Sequence, residues 1–517
     1  MRKTHLTITI CIAIIVVGVI AGAFIGGFFS GITTPKKKIL KIAMDQDING
    51  YSPQPGGLWQ LGSLIYDCLV ELDENWNQVP GLAKSWEISS DGKIWTFHLR
   101  EGVKFHDGTE LDSEDVKVTF ENMPYRFGNL VFLEKVECPD KYTVKLYFKK
   151  PCYTIASDVA VAFSGIISST AFENGKIVKP IGTGPFKLVK WVKGEKIVLE
   201  KNKDYWAGEP KIDEIIVKII PDPDARVMAL EAGEVDLIYC RGLLPAMSRL
   251  EENPDITVKS KPGQGNNVIY LNTFIDPLNS VKVRKAIAYA INKEAISSLI
   301  GKYAHPAHHI LSPAFGKYVN MNVKLPEYNP EKAKILLAEE GWEDSNGDGI
   351  LDKNGKPLKL KLTFQIMKLE HKLVAEAVKN QLKKVGIEVI LDGVDYPALR
   401  EKYYKKDFDL LLKDQWYIPH DNPYNYYFAN YYSKGFIKIF TSKQLDKLLN
   451  EMSTCLNPER HLQLHHLIQE EIAKNIPEID IYYYETAVAM NKKVINFILH
   501  QGFWRAFKPL AKTDIAT

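Results

Sequence analysis

Apolar and polar positions change period repeatedly along this chain. Ile39-Leu40-Lys41-Ile42-Ala43-Met44 alternates and predicts a first strand. Trp95–Leu99 alternates again, just after the turn signal Asp91-Gly92. Asp112-Ser113-Glu114-Asp115 ahead of Val116–Phe120 has the form of a capped helix start. Thr143–Phe148, Ile197–Glu200 and Ile215–Ile220 read as further strands. Asp224–Ala232 predicts a short helix stopped by Gly233, followed by a strand at Val235–Ile238. Lys282–Ile300 predicts one helix, with the stripe Val283, Ile287, Tyr289, Ile291, Ile296 and Ile300. Pro330–Glu340 is a helix ended by Gly341, and Leu358–Ile366 a strand. His371–Val385 is a helix ended by Gly386, and Ile387–Leu391 a strand. Strands interleaved with helices point to an α/β fold rather than a bundle or a pure β sandwich.

The first segment has neither period. Residues 6–32 run for 27 positions without a charge. As a helix they would span about 40 Å, more than a bilayer's hydrocarbon core. Arg2 and Lys3 lie in a cytoplasmic n-region, residues 1–5, and Ala21-Gly22-Ala23 is a weak cleavage site. The segment reads as a transmembrane anchor or a long signal segment, with residues 33–38 as a basic tether. Charge follows the same division. Residues 1–38 hold five basic residues and no acidic one, which leaves 61 basic against 63 acidic residues on the body. A body of net charge −2 argues against nucleic acid as a partner. The six cysteines show no CxxC spacing, so a structural zinc site is not expected; Cys138 and Cys152 flank a strand and are candidates to pair.

Enzyme signatures are missing: the sequence has no GxSxG, no HExxH and no GxxxxGK[ST]. Gly182-Thr183-Gly184-Pro185 lacks a third glycine, and its proline removes an N–H that a phosphate would use, so it reads as a tight turn. A binding protein, not an enzyme, is the simpler reading.

Several runs then carry a resemblance. Val79–Trp86, Trp95–Gly108, Pro180–Phe186, Asn202–Trp206, Ile220–Pro223, Leu271–Thr273 and Val283–Ile287 occur in an order that resembles the family 5 solute-binding proteins of ABC importers. That family carries peptides, nickel chelates and some sugars. The resemblance implies a two-lobed periplasmic-binding-protein-like α/β fold (type II, cluster C) with an inserted subdomain in the first lobe. Mapped here, lobe one is 39–275 plus 487–517, the inserted subdomain is about 53–178, and lobe two is 276–486. It further implies an extracytoplasmic body anchored at the cell membrane, a monomer, an ABC permease as partner and a small-molecule ligand captured by lobe closure. Trp95, Trp206 and the Gly182–Pro185 turn are expected to be fold elements.

Ligand choice points to Tyr403–Phe440, where eight Tyr, four Phe and one Trp fall in 38 residues. Two readings of this segment stand: a core face, or an aromatic cleft wall. Peptide-binding members often place an Asp three residues after the Trp; this chain has Pro419 there. Trp416, Pro419 and His420 are similar to the pattern of nickel-binding members, and histidine is a common nickel ligand. The resemblance therefore implies nickel or a nickel chelate, with Trp416, Tyr417, His420 and Asp421 as contacts. A dipeptide or oligopeptide is the alternative, with Asp421 facing a peptide amine. The arginines that clamp chelate carboxylates in nickel-type members have no match in Val161–Ile167, and Arg126 is the candidate substitute. His308 and His309, in the loop after the Lys282–Ile300 helix, are further candidate metal contacts, with a solvated loop as the other reading. His461 and His465 stand at i, i+4, but with no third ligand nearby they read as a surface helix face. Asp344, Asn346 and Asp348 resemble the start of a calcium loop, but Gly355 stands where the closing Glu belongs, and a polar turn between the Pro330–Glu340 helix and the Leu358–Ile366 strand is the other reading.

Overall fold

A computed structural model describes residues 37–54, 57–58, 61–123, 126, 128–240, 242–415, 422–435, 437–500 and 507–516. The expected anchor lies outside the described residues. Among those described, no helix is long and apolar enough to cross a membrane.

The alternation at Ile39–Met44 does form a strand, with Leu40 and Ile42 fully buried. It lies parallel to Glu214–Ile219 on one side and Leu237–Tyr239 on the other. The antiparallel strands Phe186–Val192 and Lys196–Lys201 complete this half of the sheet. In the other half Lys359–Gln365 runs parallel to both Glu388–Val394 and Leu410–Gln415. Two long antiparallel strands, Ile256–Leu271 and Glu478–Asn491, join the halves into one eleven-stranded sheet among the described residues. Residues 256–262 pair with 485–491, and 266–270 with 478–483.

Between those blocks the ladder is broken at Gly263–Gly265. A Cβ on Gly265 would overlap the phenol of Tyr484 on the opposite strand. Glycine in a strand marks such close approaches. The discontinuity therefore sits where the two crossing strands pass from one half to the other.

A separate four-stranded antiparallel sheet, Ala83–Ile88, Ile94–Leu99, Thr143–Phe148 and Leu133–Asp140, has its own apolar core around Phe97, Leu99, Val116 and Phe120. The helix Ser113–Glu121 packs on it. It starts at the expected place, with Asp112 and Asp115 forming a capping box. This unit reaches the second half of the body: Lys150 Nζ donates to Ser453 Oγ at 2.8 Å, and Tyr153 lies against the His461 ring.

The turn at Gly182–Pro185 and the run Asn202–Trp206 converge on one buried carboxylate. Thr183 Oγ1, Tyr205 OH and Trp206 Nε1 all donate to Asp67, which also pairs with Lys508. Burial alone would raise the Asp67 carboxyl; Lys508 and the donors outweigh it and lower it. These motif residues fix the fold, as expected.

Two expectations are corrected. The helix expected over Lys282–Ile300 is two helices, Val281–Ala290 and Lys293–Ile300. Asn292 ends the first stripe: its side chain accepts from Ala295 N at 2.8 Å and caps the second helix, while its own N–H donates to Gln381. Cys138 and Cys152 do not pair. All five described cysteines are free, and these two thiols donate to the carbonyls of Ser113 and Lys150 respectively.

Candidate functional site

In open α/β sheets, ligands bind beyond the carboxyl ends of parallel strands. Here Leu237–Tyr239 runs into Cys240 and the helix Leu244–Glu252, and Lys359–Gln365 runs into the helix Leu369–Lys383. The two edges meet beside the crossing strands. Beside them lies a small, partly open pocket of about 40 Å3, whose lining includes Tyr239, Leu244, Glu370, Asp414, Tyr482 and Tyr484. A wider opening of about 610 Å3 lies between Asn75–Gln78 and Ala314–Tyr318, with Gln264 of the first crossing strand at its edge.

Asp414 stands near the end of its strand and is strongly held. It accepts from Asn267 Nδ2 at 3.0 Å, interacts with His371 Nε2 at 3.1 Å, and pairs with Lys368. Burial would raise its carboxyl, yet Lys368 and His371 keep it well below the usual carboxylate range. Glu370, one residue from His371, has the opposite bias: burial, with Asp414 nearby, pushes it up. Its Oε1 accepts from Leu244 N at 3.1 Å, the first amide of the helix Leu244–Glu252. That contact ties the start of the helix Leu244–Glu252 to the start of the helix Leu369–Lys383.

The described part of the strand stops at Gln415. Trp416, Tyr417, His420 and Asp421 lie outside the described residues. From Asn422 onward the aromatic segment is core. Tyr424, Tyr427 and Tyr431 are buried on the helix Tyr424–Tyr431 against Leu464 and Ile468. For these tyrosines the core reading holds rather than the cleft wall.

The other candidates are placed as follows. Arg126 donates from Nη1 to Leu133 O at 3.0 Å and from Nη2 to Phe120 O at 3.3 Å, so its guanidinium ties its own loop. His309 Nδ1 meets Val323 O at 2.8 Å, and its backbone is bracketed by the Tyr483 hydroxyl. His308 is exposed beside it.

At the calcium-like loop the polar-turn reading fits. Asp344 accepts from the amides of Gly347 and Gly349, Asn346 from Asp348, and Asp348 from Ile350. The loop oxygens are turned onto their own backbone as Asx turns, and Gly355 gives no closing carboxylate. Among the described residues, no cluster of three or more His, Cys, Asp or Glu side chains is positioned to hold a metal ion.

The surface reading of His461 and His465 is also overturned, for they are 3% and 0% exposed. On the helix Pro458–Asn475 they share one stripe with Leu464, Ile468 and Ile472. The His465 ring lies between Tyr318 and Tyr427, and neither of its nitrogens has a partner.

Two α/β halves, two crossing strands and a pocket beside them define a two-lobed periplasmic-binding-protein fold. The chain belongs to the bacterial extracellular solute-binding proteins, family 5, whose middle-region model matches residues 77–437. It is 31% identical over 376 residues to the nickel-binding periplasmic protein of Escherichia coli, spanning 69% of this chain and 71% of that protein. It is 30% identical over 463 residues to the oligopeptide-binding protein AppA of Bacillus subtilis, spanning 85% and 84%. The crystal structure of NikA from Brucella suis in complex with Fe(III)-EDTA superposes with a TM-score of 0.85 at 25% identity, covering 92% of this chain and all of that one. Members of this family are substrate-binding components of ABC importers, not enzymes.

Proposed function

We propose that this chain captures nickel, as the ion or as a chelate, and delivers it to an ABC permease. One observation carries the reading: Trp416 is followed by Pro419 and His420, so the position of a peptide-type Asp is taken by a residue without charge and a nickel-type donor follows it. The strand Leu410–Gln415, whose Asp414 lines the pocket, is the described element immediately before this run in sequence. The likeness to the E. coli nickel-binding protein supports it. Trp416, Tyr417, His420 and Asp421 form the contact set. The lobe 39–275 plus 487–517 closes on 276–486 about the crossing strands, and closure excludes water from the ligand. The uncharged run at residues 6–32 holds the body at the membrane, which raises its concentration near the permease.

A peptide ligand is the second reading. It is favoured by the acidic cleft, with Asp414 and Glu370 in one pocket, and by the likeness to AppA. Metal analysis together with mass spectrometry of the protein as purified separates the two. We expect nickel at a stoichiometric level and no peptide series; peptides without metal would replace the first reading by the second.

A further inference from the structure

The smaller antiparallel unit and the helices Lys443–Thr454 and Pro458–Asn475 of the second half each have an apolar core of their own. A seam runs between them. At one point Gly92, in the turn between Ala83–Ile88 and Ile94–Leu99, meets Leu456: a Cβ on Gly92 would fall 2.7 Å from either Leu456 methyl carbon. At the next, Lys150 Nζ donates to Ser453 Oγ at 2.8 Å while lying 3.6 Å from the centre of the Phe132 ring. At the third, the Tyr153 and His461 rings stand 5.0 Å apart. Ser453, Leu456 and His461 lie between the last turn of the first helix and the first turn of the second.

This seam is not a continuous core. The Lys150 amine crosses it, and Tyr153 is 36% exposed, so water reaches it. Surfaces of this kind part without opening the cores behind them. Each side also carries one wall of the wider opening. Gln78 Nε2 donates at 2.9 Å to Ser157 Oγ, four residues after Tyr153. The Tyr318 ring lies 4.8 Å from the ring of His465, four residues after His461. Asn75–Gln78 and Ala314–Tyr318 are the two walls. Parting the seam therefore parts the walls.

We propose that the seam is a clasp, made when the lobes close and broken when they open, which holds the closed form through contacts the solute never touches. The inference rests on the reading of the two halves as lobes that close about the crossing strands. Apparent affinity then scales with the population of the closed form. Loss of the clasp weakens every solute by the same factor, whatever its chemistry.

The test uses the full chain in detergent. Hydrogen–deuterium exchange of the solute-free protein reads the amides of residues 75–78 and 314–318. Calorimetry reads the affinity for nickel with L-histidine and for a mixture of dipeptides and tripeptides. Lys150→Met removes the donor and keeps an apolar stem; Tyr153→Ala removes the ring. Each is expected to speed exchange at both walls and to weaken whichever probe binds by about three- to tenfold, the range of one lost hydrogen bond. Ser453→Asp gives Lys150 a carboxylate and is expected to move both readings the other way, a gain that fades in about 1 M salt. A lesion in packing does not produce that reversal. Unchanged exchange and affinity in Lys150→Met and Tyr153→Ala would overturn the clasp while leaving the receptor reading intact. So would faster exchange confined to the residues flanking the altered side chain, or a loss in Ser453→Asp as well. Failure of the unaltered protein to bind either probe would overturn the ligand reading, and exchange at the two walls would then decide the clasp alone.

Discussion

His461 shows how a residue's neighbours reverse its first reading. Its spacing from His465 suits a metal or a wet helix face, but the Leu464, Ile468 and Ile472 stripe carries both rings inward. Burial pushes the His461 imidazole down to about 4. The usual value is roughly 6.5, so the unfolded chain takes up the proton first. Stability from this residue is thus present above about pH 6.5 and is lost as pH falls toward 4, on the order of 3 kcal/mol. His461→Phe keeps a ring beside Tyr153 and removes the titration. Urea unfolding at neutral pH and at pH near 4 should show a smaller acid loss in that variant than in the parent. Equal losses would mean that His461 is already charged in the folded protein. The signal for burial was present in the sequence, as apolar residues at the same helical period; the tyrosines that enclose the rings come from distant segments.

At the scale of elements, local patterns carried far and non-local ones did not. The capping box at Asp112 and Asp115 is a short-range device, and the helix starts where it says. Asn292 is equally local, but an apolar stripe on both sides concealed its cap. The break in the crossing strands depends on a tertiary contact, because Gly265 is needed only where Tyr484 passes over it. Gly265→Ala should destabilise the body by about 1–3 kcal/mol through overpacking. Tyr484→Ala in the same chain should recover part of that loss, which a double-mutant cycle measures. Strict additivity of the two changes would place the strain elsewhere. The cleft itself was not legible for the same reason: Glu370 meets Leu244 across 126 positions, and Asp414 meets Asn267 across 147. No spacing rule reaches that far.

At the scale of the whole molecule, one sheet serves two halves, joined by the long crossing strands, whose ladder is broken at Gly263–Gly265. Contacts at Lys150–Ser453 and Tyr153–His461 hold the smaller antiparallel unit against the second half, far along the chain from the crossing. The body outside residues 1–38 is nearly neutral, with 61 basic against 63 acidic residues. Resemblance in the sequence reached the class of protein through the Gly182–Pro185 and Asn202–Trp206 runs, which the fold uses to hold Asp67. Those runs do not touch the cleft's acidic pocket, so they specify the architecture without naming the cargo. The most direct test is a calorimetric titration of the purified, ligand-stripped body with nickel, alone and with L-histidine. Saturable binding of one nickel per chain, tightened by histidine, is the expected result; no heat of binding under either condition would contradict the nickel reading.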